Sequence, residues 1–137
     1  MAANSSLAGA VQILCVLAWR GDRDTTSEKL AGSLRTNPVV VRRTLKALER
    51  HGLVAVKPGR NGGVALARAP ADITLEEVYK AVEPDGALFA MRKRGSPRCP
   101  VHLAMRDLLP PIFDAANAAV DTTLRRTKLS TLVEQIN

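Results

Sequence analysis

The side chains best suited to recognition chemistry fall between Thr36 and Gly63. Val41, Leu45 and Leu48 recur at helical spacing, which turns Val39, Val40, Arg42, Arg43 and Lys46 to the opposite face. Guanidinium forks match guanine O6 and N7 and also phosphate oxygens, so Arg42 and Arg43 are candidates for base-edge or phosphate contacts. Thr36 and Asn37 stand at the entrance of this helix, where short polar side chains and free N–H groups grip phosphate. A second group follows in Lys57-Pro58-Gly59-Arg60-Asn61-Gly62-Gly63. Its glycines allow a tight reversal and a close backbone approach, and Lys57, Arg60 and Asn61 supply donors for a minor groove or a phosphate backbone. Read singly, the first group is also consistent with a solvated helix face and the second with an ordinary hairpin turn. Their adjacency favours a DNA-contacting surface. No Gly-Lys-Ser/Thr follows the glycines, so a nucleotide-binding phosphate loop is disfavoured.

The charge distribution points the same way. The 137 residues carry a net charge of +7, and the whole excess lies before Ala71: eleven basic residues face four acids there, and nine face nine afterwards. A basic half suits a polyanionic partner, because Lys and Arg neutralising phosphate dominate nucleic-acid affinity. Trp19, Tyr79, Phe89 and Phe113 are the only aromatic residues, too few for the stacking platforms of RNA-binding sheets and single-strand clefts. Double-stranded DNA is therefore the expected partner. No Lys or Arg precedes Arg20 and no apolar run approaches the roughly 20 residues that span a bilayer, so neither secretion nor a membrane is expected and the location should be cytoplasmic.

These groups need elements to hold them. Leu7, Ala10, Val11, Leu14, Leu17 and Ala18 mark a first helix ending near Gly21, with Ser6 available as its cap. Thr25 or Thr26 can cap a second helix that turns Leu30, Ala31 and Leu34 inward. Asn37-Pro38 opens a third helix running to His51, with Gly52 suited to the left-handed position beyond it. Leu53–Val56 and Val64–Ala67 read as two short strands joined by the basic turn. Thr74 and Glu77 form a capping box for a helix through Val82. The stretch from Glu83 to Pro97 lacks periodicity and reads as an exposed linker. Helical patterning resumes from Pro100 to about Arg126, with a short last helix near Leu129 to Ile136. Pro110-Pro111 inside the long helix predicts a kink or break. The fold class is mainly α with a small β-hairpin: a winged helix-turn-helix over residues 1–83, a linker over 84–98, and a dimerisation helix with a short terminal helix over 99–137.

The run Glu28-Lys29-Leu30-Ala31, the stretch Pro38 to Leu53, the segment Gly59 to Ala67, and Ile73-Thr74-Leu75-Glu76-Glu77-Val78 followed by Ala81-Val82-Glu83 resemble the bacterial Rrf-two family of transcription regulators. The likeness covers nearly the whole chain. It implies a homodimer on a palindromic operator, each recognition helix in a major groove, with the long C-terminal helix pairing the subunits; repression is the expected mode. The chain's own pattern agrees with such pairing, since Ile112, Ala115, Ala116, Ala119, Val120 and Thr123 form a small-residue stripe suited to close helix approach. Relatives that hold iron–sulfur clusters carry three cysteines before and at the start of the long helix, with a nearby histidine. Here Cys99-Pro100-Val101-His102 resembles the last cysteine and that histidine, and no cysteine lies between Asp85 and Arg98.

Clusters are usually held by several thiolates, so no cofactor is expected. The resemblance implies that cluster-free members also keep a Cys-Pro-Val helix start, so Cys99 reads as a structural helix start, with a redox-active thiol or a metal shared across a dimer through Cys99 and His102 as the alternative. Cys15 sits at a core-leaning position, and His51 suits the negative end of its helix. Beside DNA binding stands a protein-interaction module whose basic face docks an acidic partner. No nucleophile–base pair, carboxylate dyad or metal-ligand cluster appears at a useful spacing, so an enzyme is not expected.

Overall fold

The computed structural model describes residues 5–21 and 25–136. Arg23, counted above with Asp22 and Asp24 in the charge balance, lies outside them. Helix α1 spans Ser6–Arg20 and buries Ala10, Ile13, Leu14, Cys15 and Leu17. Its N-cap is Ser5 rather than Ser6, and no side chain caps it. Helix α2 (Ser27–Leu34) starts where the Thr26 hydroxyl accepts from the Lys29 N–H at 3.2 Å. Helix α3 (Pro38–Arg50) starts where Asn37 Oδ1 accepts from the Val39 N–H at 2.9 Å, directly after a proline whose missing N–H costs nothing at that position. At its far end Gly52 has φ 70°, and the His51 Nδ1–H donates to the Ala47 carbonyl at 3.0 Å.

Strands β1 (Val54–Lys57) and β2 (Gly63–Leu66) pair antiparallel, Val54 opposite Leu66 and Lys57 opposite Gly63. Each strand is displaced by one residue from the sequence expectation, because the turn closes from Lys57 to Gly63. A single 3-10 turn at Pro70–Asp72, which periodicity could not reveal, leads to α4 (Leu75–Val82). The capping box is present: Glu77 N–H donates to the Thr74 hydroxyl at 3.3 Å, and Thr74 N–H donates to Glu77 Oε2 at 3.0 Å. The core gathers Ile13 and Leu14, Leu30, Val41 and Leu48, Leu53, Ile73 and Val78 into one cluster, closed by Leu129.

Helix α5 spans Pro100–Arg125 without interruption. Of the kink or break expected at Pro110-Pro111, the break does not occur. Each proline removes one i→i−4 bond, but the carbonyls so released belong to the exposed residues Arg106 and Asp107, where water can satisfy them. Helix α6 is shorter than expected, Leu129–Val133, and the residues after it continue as turns. The linker is exposed but anchored: Asn117 Oδ1 accepts from the N–H groups of Leu88 and Phe89, its Nδ2 donates to the Phe89 carbonyl, and the Phe89 ring stacks on Phe113 at 5.9 Å.

The lower end of α5 is fastened to the core. Arg125 donates to Glu76 Oε2 from Nε at 3.0 Å and from a terminal nitrogen at 2.6 Å, while Lys80 lies 3.6 Å from the other oxygen. Hydrogen bonding by the Arg125 guanidinium holds the Glu76 carboxyl below its ordinary value of 4.5. A carboxyl depressed in the folded state stabilises it above the unfolded value, and that contribution is lost as pH falls through the folded value. Because the Arg125 side chain is 60% exposed, the contribution is screened and modest. Denaturant midpoints taken from about pH 6 to about pH 3 should therefore fall less steeply in Glu76→Gln than in the parent. Identical profiles would mean that this pair contributes nothing.

Candidate nucleic-acid interface

The turn between α2 and α3 is short and fixed. Arg35 takes a left-handed conformation at φ 53°, and the Thr36 N–H donates to the Ala31 carbonyl at 3.0 Å. That turn sets α3 across α2 with Val41, Leu45 and Leu48 buried, and leaves Arg42, Arg43 and Lys46 exposed on the opposite side. Val39 and Val40 are exposed at the helix start, unusual for β-branched side chains unless something apolar meets them. The sequence expectation for α3 therefore agrees with the geometry in every outward residue.

The outward residues differ in their surroundings, which the sequence did not reveal. Arg42 is held by Glu28 of α2 at 2.9 Å, both side chains being mostly exposed. The Glu28 carboxyl lies below its ordinary value, first through its own backbone N–H and then through Arg42. Arg43 and Lys46 make no ion pair among the described residues. A groove of about 450 Å³ separates this face from the hairpin, with Leu45 and Val56 in its wall and Arg42, Lys46 and Lys57 at its rim. Glu49, also on the groove, accepts from the Val56 N–H at 3.2 Å and so ties α3 to β1.

The hairpin tip carries Lys57, Arg60 and Asn61, all exposed. Its reversal depends on Gly59 at φ 86° and Asn61 at φ 64°, the left-handed region that glycine and asparagine enter most readily. Gly62 and Gly63 serve the close approach. A Cβ on Gly62 would overlap the Lys57 carbonyl, and one on Gly63 would lie 2.9 Å from the Thr25 carbonyl oxygen. That same oxygen accepts from the Val64 N–H at 2.8 Å, so the wing is pinned to the start of α2. Thr25, 1% exposed, is the missed residue here; only its closeness to the hairpin, invisible in the sequence, distinguishes it from Thr26.

Cys99 and His102 open α5 as expected, Cys99 as the residue before the first helical turn. The imidazole of His102 packs against Gly95, where a Cβ would overlap the ring. Cys15 is buried in the core, which pushes its thiol up and makes it unreactive. Among the described residues no group of three or more His, Cys, Asp or Glu could hold a metal ion, and no helix is long and apolar enough to cross a membrane.

Replacing Gly63 by Ala should destabilise the fold by roughly 1–3 kcal/mol, because the added carbon presses on backbone rather than on a movable side chain. Thermal unfolding measures this, and an unchanged midpoint would show that the wing is not pinned at Thr25.

Comparison with known proteins places these features in one group. Residues 3–135 match the Rrf2 family, described as "Iron-dependent Transcriptional regulator". The chain is 35% identical over 133 residues to YwnA of Bacillus subtilis (strain 168), described as an HTH-type transcriptional regulator, covering 97% of this chain and 98% of that one. A crystal structure described as that of a DNA binding protein superposes with a TM-score of 0.74 at 32% identity, covering 93% of this chain and 98% of that one. CymR, the global cysteine regulator of B. subtilis, has the same fold, with a TM-score of 0.71 at 21% identity over 100% of this chain and 99% of that one. The iron of the family's description finds no matching donor set here: one thiol and one imidazole at the start of α5, with Cys15 in the core, do not fit an iron–sulfur cluster. The chain belongs to the Rrf2 family of transcriptional regulators, winged-helix proteins rather than enzymes.

Proposed function

We propose that the protein is a sequence-specific repressor that binds double-stranded DNA as a homodimer on a palindromic operator. The observation that carries this reading is the exposed outer face of α3, where Arg43 and Lys46 stand without carboxylate partners, with Arg42, Lys46 and the wing's Lys57 lining one groove and Arg60 exposed at the wing tip. In this reading α3 enters the major groove by its N-terminal half. Arg42 and Arg43 meet guanine edges or phosphates, while Val39 and Val40 offer methyl groups that match thymine C5-methyl contacts. Thr36 and Asn37 sit against phosphate at the helix start, and Lys57, Arg60, Asn61, Gly62 and Gly63 follow the backbone or minor groove. A DNA partner implies a cytoplasmic location.

The dimer follows from α5. None of its residues is buried, and Leu108 and Ile112 are 57% and 61% exposed. Ala115 and Ala119 continue the same side, also exposed. An apolar stripe of that length on a single chain is covered most simply by the same stripe on a second copy, related by a two-fold axis. Residues 1–83 then read DNA, 84–98 link, and 99–137 pair the subunits. A dimer of this kind blocks access to the promoter it covers, without iron and without a catalytic step.

The test is titration of operator and random duplexes with Arg42→Ala, Arg43→Ala and Arg60→Ala at two salt concentrations. Loss of a base-reading arginine should cost roughly 1–3 kcal/mol and relax preference at one base pair. Loss of a phosphate contact, expected for Arg60, should weaken all sequences alike and reduce the salt slope by about one. Three variants that bind like the parent would move the recognition surface elsewhere, and docking of an acidic protein on the basic face would become the better reading.

A further inference from the structure

The DNA reading leaves one basic cluster unused. Between the linker and the first turns of α5 lies an open cleft of about 640 Å³, within the range of small-molecule sites. Arg92, Lys93 and Arg94 reach it from the linker, His102 and Arg106 from α5, and Gly95 forms part of its wall. No Asp or Glu lines it. None of its Lys or Arg side chains makes an ion pair among the described residues, whereas Arg42, Arg68, Lys80 and Arg125 each have a carboxylate partner. Four permanent cations converging on one concavity repel one another unless an anion sits among them.

The shape of the cleft depends on a close fit. His102 lies so near the Gly95 backbone that any side chain at position 95 would overlap its ring. The ring therefore braces the linker against α5 while its edge remains beside the cations. Three arginines provide planar forks suited to bidentate contact with oxyanions. The charge they present is better matched by the several negative charges of a diphosphate than by a single carboxylate.

We propose that this cleft is a binding site for a small phosphate-bearing anion of the diphosphate or phosphate-ester type. A DNA backbone is the less suitable occupant. The cations line a single open cleft, and they share no residue or element with the α3 and wing surface. The start of α5 also lies roughly 37 Å along the helix axis from Arg125, where the helix is fastened to the core. The site stands whether or not the operator reading holds, because its binding is measured with no DNA present.

Calorimetric titration of the full-length protein with inorganic pyrophosphate, inorganic phosphate and citrate tests the proposal. One pyrophosphate should bind per chain, more tightly than phosphate, with citrate weakest. Arg94→Gln and Arg106→Gln should each weaken pyrophosphate binding about tenfold, the loss of one charge-assisted hydrogen bond. Gly95→Ala should weaken it by displacing His102, and Arg43→Ala should leave it unchanged. Both substituted arginines are exposed, so thermal midpoints should stay at the parent value. The proposal is overturned if pyrophosphate gives no saturable binding, or if Arg43→Ala weakens it as much as Arg94→Gln does. It is equally overturned if Arg94→Gln and Arg106→Gln weaken random-duplex binding as strongly as Arg43→Ala, which would make the cleft part of the DNA surface.

Discussion

A short two-sided clamp fixes how the long helix α5 joins the winged-helix head. The Leu75 N–H donates to the Thr127 carbonyl at 3.0 Å, and the Leu129 N–H donates to the Ile73 carbonyl at 2.8 Å. Thr74 and Lys128 thus face each other as a minimal antiparallel bridge. The Glu76–Arg125 pair reinforces it on one side, and fully buried Leu129 seals it on the other. Without the clamp, α5 would be tethered through the exposed linker and the Asn117 contacts near its middle. With it, the helix projects from the head at a fixed angle. The proposed dimer through α5 would then hold its two α3 helices at one spacing, and fixed spacing is the condition for reading a two-fold symmetric site.

Most of the head was legible in the sequence because its signals are local. Asn37-Pro38, the Thr74/Glu77 box and Gly52 each state their own geometry within four residues. The inward face of α3 follows from periodicity alone, so its outward residues were identified correctly. Local errors were small, a cap or strand end off by one residue and a last helix cut short, whereas the larger omissions concern contacts between distant parts of the chain. The Glu28–Arg42 pair, the Thr25 carbonyl beneath the wing and the Asn117 anchor join residues separated by 14, 39 and up to 29 positions, and no local pattern announces them. The continuity of α5 through Pro110-Pro111 is a different case. Proline's cost in a helix assumes that the freed carbonyls are stranded, and on this exposed helix they face water.

The electrostatics separate two kinds of cation. Some are matched by a carboxylate: Arg125 with Glu76, Arg68 with Glu77, and, on the outer face of α3, Arg42 with Glu28. Arg43 and Lys46 beside Arg42 on α3, and the cations around the cleft at the start of α5, have no such partner among the described residues. Pairing within the fold sharpens the pattern, since Glu28 holds Arg42 while Arg43 makes no ion pair. In the proposed complex Arg42 would exchange a carboxylate for a base or phosphate, which favours ligands that replace the lost contact in full and disfavours those that do so in part. The family's description names iron, while the start of α5 in this chain offers one cysteine, Cys99, beside a cleft lined by Arg92, Arg94 and Arg106.

The central claim is that two clamped heads act together on one DNA site. Sedimentation of the protein with a duplex selected from genomic fragments tests it most directly. The account predicts a complex that holds two chains of 14.7 kDa per selected duplex and dissociates as a unit when salt is raised. One chain per duplex, or loading that grows with duplex length regardless of sequence, would contradict it.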